Sequence, residues 1–335
     1  MTDLEICLRA PGAALLVVAP HPDDESLATG GLLQRAVSAG ARARVLLLTD
    51  GDNNPWPQRW LERRWRIGPE ERRRWGQRRR GEAHAALATL GLPDDAPVCL
   101  GWPDMGVTSR LVDDTAASVS TIAGHVRDFA PSVLVFPSLG DTHPDHSAAH
   151  VLVRLALARQ DCRLPHYTAL LSYLIHGRRD PGSAVTLVLS GGEVQRKRDA
   201  VCAYQTQVTL SRSRLLANVS SAETYHSAAG NDVAAGANPW EAPAWLRGAS
   251  ELLVVAGEQA WRQPPGPVAG RETALARVLA AAPRPVAADC PVYVKLRLRQ
   301  RSPWIFDRWG WRCLRGLTAS GDSAKVDAPT LVTVD

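Results

Sequence analysis

The stretch LLVVAPHPDDESLATGGLLQRAVSAG, residues 15–40, decides the fold. Its first five residues are all apolar and predict a buried parallel strand. The segment from Ser26 to Ala39 has the pattern of a helix, and Gly40 follows it, a residue that favours helix termination. His21 and three acids therefore lie on the turn that leaves the carboxyl end of a strand, which is where open α/β sheets place their ligands.

This turn has the composition of half a metal site. Carboxylates so close together would repel one another when desolvated, unless a positive group lay between them. An imidazole with a carboxylate two or three residues away suits a divalent cation. The other half occurs at DTHPDH, residues 141–146, shortly after the apolar run 133–136. Loops on two strands of one parallel sheet can meet, and three ligands with an open position would make a catalytic site.

The motifs HPDDE at 21–25 and HPDH at 143–146 resemble the two signatures of the PIG-L/LmbE-like metal-dependent de-N-acetylases. Those enzymes remove acetyl groups from N-acetylglucosamine-type sugars attached to inositol, lipids, thiol precursors or antibiotics. RRGEA at 79–83 resembles the Arg-x-x-Glu helix of the family. Residues 197–207, followed by Glu223, resemble its late helix and the acid after it more loosely. The resemblance covers roughly residues 13–230.

The resemblance implies a metal site and a general base. The ligands would be His21, Asp24 and His146, and two imidazoles with one carboxylate suit Zn²⁺, with Fe²⁺ as the alternative in a reducing cytosol. Asp23 would be the general base. Its alternative interpretation is a helix N-cap, since aspartate is common at that position.

The resemblance also implies roles for three further side chains. His143 would stabilise the oxyanion or protonate the leaving amine. Asp145 would orient His143 through a ring N–H, as carboxylates behind catalytic imidazoles do. Arg79 would reach the substrate or a nearby carboxylate, and we assign it to substrate binding.

Strands alternate with helices through the first half of the chain. The predicted strands are Leu15–Ala19, Val45–Thr49, Val98–Leu100 and Val133–Phe136, and the predicted helices are Ser26–Ala39, Gln77–Leu90 and Asp113–Phe129. This alternation predicts an α/β fold with a Rossmann-like, doubly wound, mostly parallel sheet, followed by a C-terminal extension. Dinucleotide binding is disfavoured, because no Gly-x-Gly-x-x-Gly follows the first strand.

We expect two parts in the chain. Residues 1–230 would be the deacetylase core, and residues 231–335 would be an extension that packs on or beside it. An Arg- and Trp-rich insertion at about 52–78 predicts either a solvated helical excursion or a lid that stacks indoles on sugars and pairs arginines with a phosphate. Placed on a helix, residues 303–317 show one basic and one apolar side, which predicts a docked terminal helix or a peripheral membrane contact.

The composition of the chain bears on its ligands and its cellular compartment. The formal charge is +5, and 36 of the 39 basic residues are arginines in an Ala- and Pro-rich chain, so we discount basic patches as evidence for nucleic acid. Six scattered cysteines and the lack of a visible signal peptide predict a cytoplasmic protein with free thiols. We expect a small N-acetylated sugar or glycoconjugate as substrate. The alternatives are another small amide or acyl group on a secondary metabolite, or a non-catalytic sugar-binding protein.

Overall fold

The computed structural model describes residues 3–165, 168–177, 184–228, 249–266, 271–299 and 309–316. Its central sheet contains β1 (Ala14–Ala19), β2 (Arg42–Thr49), β3 (Pro97–Trp102), β4 (Val133–Pro137), β5 (Ala169–Tyr173), β6 (Ala184–Val188) and β7 (Ala222–Ser227). The helices connected to it are α1 (Asp3–Arg9), α2 (Asp24–Ser38), α3 (Pro55–Glu62), α4 (Pro69–Thr89), α5 (Val107–Asp113), α6 (Thr115–Phe129), α7 (Pro144–Leu157), α8 (Gly191–Ala203) and α9 (Gln205–Leu216).

The strand order is β3-β2-β1-β4-β5-β7-β6. The strands β3, β2, β1, β4 and β5 run parallel, and β7 pairs antiparallel with both β5 and β6. The predicted mostly parallel α/β sheet is therefore confirmed. Since β1 lies between β2 and β4, the strand order reverses beside β1, and this is the position at which such sheets bind ligands.

Helices cover both faces of this sheet. The side chains of β1 alternate, so that Leu15 and Val17 pack with α2 and α4 on one face. Leu16 and Val18 pack with α5, α6 and α7 on the other. Every residue of β1 is buried, as the uniformly apolar sequence predicts for an inner strand of a parallel sheet.

A second, antiparallel sheet follows the first. It contains β8 (Ser250–Ala256), β9 (Gln259–Gln263), β10 (Val292–Leu298) and β11 (Trp311–Arg315), in the order β11-β10-β8-β9, and is accompanied by α10 (Arg271–Ala280). One face, with Leu253, Val255 and Tyr293, joins the same apolar cluster as α5, α6 and α7. The other face packs with Ala274 and Val278 of α10. The helices α5–α7 therefore lie between two sheets.

The helix predicted through 303–317 is wrong where the structure describes that segment. Residues 311–315 form β11, and Arg312 pairs with Val294 of β10. Trp311 and Cys313 are buried against the α5–α7 layer, while Leu314 faces the α10 side. Within this strand Trp311, Cys313 and Leu314 are buried, whereas Arg312 is exposed. The peripheral membrane contact through 303–317 stays a prediction, because residues 303–308 and 317 lie outside the described residues.

The remaining expectations concern chain organisation. The described part of the central sheet ends at Ser227 and the second sheet begins at Ser250, but the division into two domains at about 230 stays a prediction. All six cysteines lie in described segments and are free, as expected. Among the helices that the structure describes, none combines the length and the apolar character needed to cross a membrane.

Candidate metal centre and active site

The two predicted loops meet at the carboxyl ends of β1 and β4. His21 and Asp24 come from the turn between β1 and α2, and His146 comes from the first turn of α7. The Oδ2 atom of Asp24 lies 3.2 Å from Nδ1 of His21 and 3.2 Å from Nε2 of His146. The side chains are almost entirely buried. The sequence argument that strands β1 and β4 would bring these residues together is therefore confirmed.

Carboxylates behind the two imidazoles orient their rings. Nδ1 of His146 lies 3.1 Å from Oδ2 of Asp141. Nε2 of His21 lies 3.2 Å from Oδ1 of Asp104 and 3.3 Å from Oδ2 of Asp145. With the ring protons placed towards these carboxylates, the lone pairs of His21 Nδ1 and His146 Nε2 both point to Asp24. This is how carboxylates behind metal-binding histidines fix the tautomer.

The donor set fits a divalent cation. Two ring lone pairs and a carboxylate oxygen face one another, an arrangement that is repulsive unless protons or a cation lie between them. Within the described residues, the buried Nε2 of His146 makes no well-aligned hydrogen bond, and its neighbour is Oδ2 of Asp24 at 3.2 Å. The two separations of 3.2 Å match the distance of about 3.3 Å between ligand atoms around a tetrahedral ion with bonds of about 2.0–2.1 Å.

More than one group of side chains could supply the ligands. Three overlapping sets bring one ligand atom from each residue within 4.8 Å of one another: His21 with His143 and His146, Asp24 with His146 and His176, and His21 with Asp104 and Asp145. The three predicted ligands are distributed over these sets. The assignment of His21, Asp24 and His146 as the ligands therefore stays a prediction.

The charges of this cluster depend strongly on one another. Burial lowers the pKa of His21, but Asp104, Asp145 and Asp24 outweigh burial and raise it well above its ordinary value. Burial likewise opposes protonation of His146, yet Asp24 and Asp141 raise its pKa to about 9. Burial opposes ionisation of Asp24, whereas His146 and His21 hold its pKa well below the ordinary range. Without a bound cation, protons on His21 and His146 thus neutralise the negative charge of the surrounding carboxylates.

Asp23, directly before α2, has an unusual backbone conformation. Its φ of 123° lies in the region that favours glycine, which costs a side-chain-bearing residue about 1–3 kcal/mol. Asp23 occupies the N-cap position of α2, but its side chain makes no capping hydrogen bond, so the carboxylate is not used to cap the helix. Glu25 holds this conformation: it is fully buried, its Oε2 accepts the N–H of Asp23 at 3.1 Å, and its Oε1 accepts the hydroxyl of Tyr204 at 2.5 Å.

The Asp23 carboxylate is tuned towards neutral pH. Burial raises its pKa, the Arg79 guanidinium lowers it, and Asp24 raises it again, with a resulting pKa of about 7. The closest opposite charge is Nη2 of Arg79, 3.2 Å from Oδ2 of Asp23. A carboxylate with such a pKa can both accept and return a proton near pH 7.

Arg79 positions this loop. It is 4% exposed, and Nη1 donates to the carbonyl oxygen of Gly51 at 2.9 Å. Nη2 donates to the carbonyl oxygen of Pro22 and to Asp23. Gly51 has φ +60°, and a Cβ there would lie 2.2 Å from Nη1 of Arg79, so the turn needs glycine. Of the two predicted roles, the structure gives Arg79 the contact with a nearby carboxylate. Its assignment to substrate binding stays a prediction.

The looser family motifs anchor the helices around the site. Glu82, three residues after Arg79, accepts the backbone N–H and the hydroxyl of Thr206 at the start of α9. Lys197 and Glu223 form a buried ion pair of 2.6 Å, and Glu223 also accepts the N–H groups of Gly31 and Leu32 in α2. These contacts tie α4 to α9, and they tie α8 and β7 to α2, the helix that begins with Asp24.

His143 caps α7 from its position beside the metal cluster. Its Nδ1 accepts the backbone N–H of Asp145 at 3.3 Å, which leaves the ring proton on Nε2. Burial lowers the pKa of His143, and His21 and His146 lower it further. A neutral Nε2–H that donates to an oxyanion is therefore favoured over a protonated imidazolium. Asp145 donates its backbone N–H to His143. Its carboxylate instead contacts His21 and accepts the N–H groups of Met105 and Val107. The structure thus favours His21 as the ring that Asp145 orients.

Two candidate residues were missed by the sequence argument. Asp104 follows β3 and contacts His21, and it also accepts the N–H of Asn53 at 2.9 Å. His176 follows β5, and its ring centroid lies 5.1 Å from that of His146. Both lie just beyond the carboxyl end of a parallel strand. The rule that located the two motifs would have found them had it been applied to β3 and β5 as well.

Comparison with known proteins agrees with this geometry. Residues 16–157 match the family model described as PIG-L: GlcNAc-PI de-N-acetylase. This part of the chain is therefore similar to the PIG-L family. The 1D-myo-inositol 2-acetamido-2-deoxy-alpha-D-glucopyranoside deacetylase of Mycolicibacterium vanbaalenii is 34% identical over 172 residues, covering 46% of this chain and 57% of that protein. The chain spans about half the length of the curated relatives it matches.

Solved structures share the fold of about two thirds of this chain. The A40926 pseudoaglycone deacetylase Dbv21 is 21% identical with a TM-score of 0.50, covering 64% of this chain and 96% of that chain. GalB, the 4-carboxy-2-hydroxymuconate hydratase of Pseudomonas putida KT2440, is 19% identical with a TM-score of 0.50, covering 68% and 100%. Since the second of these is a hydratase, the fold alone does not determine the reaction, which must be argued from the site.

Proposed function

We propose that this chain hydrolyses the N-acetyl group of an N-acetylglucosamine-type sugar conjugate and releases acetate and a free amine. The observation that carries the proposal is the pairing of a candidate metal centre with a separate carboxylate, Asp23, whose pKa is about 7. The match of residues 16–157 to a de-N-acetylase family and the deacetylase names of the curated relatives support the same reaction.

We infer that His21, Asp24 and His146 hold the cation. A bound divalent cation would polarise the amide carbonyl and lower the pKa of water. Two imidazoles and one carboxylate suit Zn²⁺, and Fe²⁺ uses the same ligand types. The ion pair of His146 with Asp141 supports this assignment, because it keeps Nε2 of His146 available as a ligand.

In the proposed reaction the protein moves protons and stabilises charge. Asp23 takes a proton from the attacking water, and its separation of 3.2 Å from Arg79 keeps the carboxylate ionised beforehand. His143 donates its Nε2–H to the oxygen of the tetrahedral intermediate, and Asp23 can return its proton to the leaving amine. Arg79 and Glu25 hold Asp23 in place, from its carboxylate and from its backbone N–H.

Two variants separate cation binding from chemistry. Asp24→Ala should lose stoichiometric cation, measured by elemental analysis. Asp23→Asn should keep the cation and release acetate from N-acetylglucosamine conjugates about 10²–10⁴-fold more slowly, the usual contribution of a general base. The reverse outcome, with cation lost only from Asp23→Asn, would exchange the two roles. Wild-type protein that holds cation but releases no acetate from any N-acetylated sugar would refute the proposed function.

We further infer that the protein works in a reducing, cytoplasmic compartment. The support comes from its cysteines: six are present, and all six are free.

A further inference from the structure

The insertion between β2 and α4 carries an exposed surface that the proposed reaction does not use. Trp56, Trp60 and Trp65 are 62%, 69% and 77% exposed, although indoles are usually largely buried. Arg59, Arg63 and Arg66 lie among them along the chain. We call these six residues the Trp–Arg surface. It is both strongly apolar and strongly basic.

The basic character of this surface is not neutralised by nearby acids. Between residues 55 and 66 the only acid is Glu62, and it pairs with Arg74 of α4 at 2.6 Å. Glu71, the next acid that reaches this region, pairs with Arg64 at 2.7 Å. Arg63 and Arg66 are both exposed. The Trp–Arg surface therefore presents net positive charge to its surroundings.

Arg59 holds the indoles in place. Its guanidinium lies over the ring of Trp56, 4.9 Å from the centroid, and over that of Trp65, at 5.3 Å. Its Nε donates to the carbonyl oxygen of Trp65 at 3.0 Å. Trp60 and Arg63 line an open groove of about 520 Å³ on the same helix end. Two of the three exposed indoles, Trp56 and Trp65, are therefore held by Arg59.

We propose that the Trp–Arg surface docks the protein on an anionic phospholipid membrane. Indoles prefer the interface between headgroups and acyl chains, and arginines bind lipid phosphates while their stems remain in the interface. Nucleic acid is the competing ligand for a basic aromatic surface, and Arg59 reduces the ring area open to base stacking by covering one face of Trp56 and one of Trp65. A symmetric contact with a second copy would bring Arg63 and Arg66 of both copies together.

The surface lies next to the candidate active site in the chain. Asn53, two residues before α3, donates its backbone N–H to Asp104, and Asp104 contacts His21. A membrane bound at the Trp–Arg surface would therefore lie near the metal centre. If the proposed deacetylation holds, its substrate would be an N-acetyl sugar carried by a membrane amphiphile. The docking itself does not depend on that reaction.

Cosedimentation of the full chain with vesicles tests the docking directly. The protein should bind vesicles with 30% phosphatidylserine at low salt, with a blue shift of tryptophan emission, and binding should weaken as salt rises. Arg63→Gln with Arg66→Gln should lower the partition coefficient about 25-fold, at about fivefold per arginine. Replacing all three indoles by alanine should lower it at least about tenfold. The matched controls, Arg9→Gln with Arg127→Gln and Leu210→Ser, change exposed residues elsewhere and should bind like the wild type.

Four outcomes would overturn the proposal. These are no binding to anionic vesicles, equal binding to phosphatidylcholine vesicles, equal loss of binding in the control variants, and preferential binding of an oligonucleotide that displaces the vesicles. Acetate release from a soluble N-acetyl sugar should be unchanged in the Trp and Arg variants, which shows that they fold. An inactive wild type that still binds vesicles would refute the deacetylation and leave the docking intact.

Discussion

The contact between Arg79 and Asp23 can be tested by the pH dependence of the reaction. Arg79→Gln removes the guanidinium of α4 that contacts Asp23 at a separation of 3.2 Å. An arginine so close to a carboxylate lowers its pKa by about 1–3 units. With Arg79 present the pKa of Asp23 is about 7, so its loss should move the acid limb of kcat/KM to about 8–10. At pH 7 the ionised fraction of Asp23 would fall from about one half to roughly a tenth or far less, and kcat/KM would drop about 5-fold to 500-fold.

The displacement of the limb is the informative quantity. A cation at the metal centre would lower the pKa of Asp23 in both proteins, so the difference between them is preserved. Arg79→Gln also leaves the carbonyl groups of Pro22 and Gly51 short of a donor, at about 1–3 kcal/mol for each buried group. A lower melting temperature is therefore expected as well, but it cannot by itself move a pH limb.

The assay is acetate release from an N-acetylglucosamine conjugate between pH 5 and 10, with cation content measured in parallel. Arg80→Gln is the matched control, because Arg80 is the next residue of α4 and pairs with Asp50 at 2.6 Å instead. The control should keep the wild-type acid limb. An Arg79→Gln limb that coincides with that of the wild type, in protein with full cation content, would refute the role of Arg79 in holding Asp23 ionised.

Three further predictions concern the same centre. Cation binding should release about two protons at pH 7, from His21 and His146, and one proton fewer as the pH rises through about 9. The affinity for the cation should therefore increase with pH. Calorimetry in buffers of different ionisation enthalpy measures the proton release, and binding heats that do not depend on the buffer would contradict it. His143→Ala should keep the cation and lower kcat about 10²–10³-fold while the alkaline limb stays in place, because the pKa of His143 is lowered; loss of that limb would instead make His143 the acid. Glu25→Ala should lower kcat strongly and change KM less, with unchanged cation content. Glu25→Gln should restore part of the rate, because its amide oxygen can still accept the N–H of Asp23. An equal loss of rate in both variants would point to a merely structural role.

Much of the fold could be read from the sequence because local and global signals agree in the first half. The apolar runs 15–19 and 133–136 are typical of inner strands of a parallel sheet, which are buried on both faces. The polar turns after them are therefore expected at the carboxyl edge of that sheet. That reasoning predicts that the two turns meet, and the family resemblance adds His21, Asp24 and His146 as the ligands. Their burial and the 3.2 Å separations from Asp24 follow from the β1–β4 pairing.

The rest of the site depends on contacts that no local pattern encodes. Asp104 and His176 reach the centre only because β3 and β5 take their places in the strand order. The positive φ of Asp23 depends on Glu25, which in turn is held by Tyr204, a residue 179 positions away. The helix predicted over residues 311–315 is wrong, because a short apolar run of this kind fits a partly buried strand as well as an amphipathic helix.

The placement of α5–α7 between two sheets has a consequence for how the chain is made. The central sheet is complete once Ser227 has been synthesised, but Leu253, Val255 and Tyr293, which cover the outer side of these helices, come later. At about 5–20 residues per second, the ribosome needs roughly 4–18 s to reach residue 315. During that interval the nascent core displays an uncovered apolar layer, and His146 sits on one of the helices that form it. The helix that carries His146 is thus fully covered only after the last strand of the second sheet has left the ribosome.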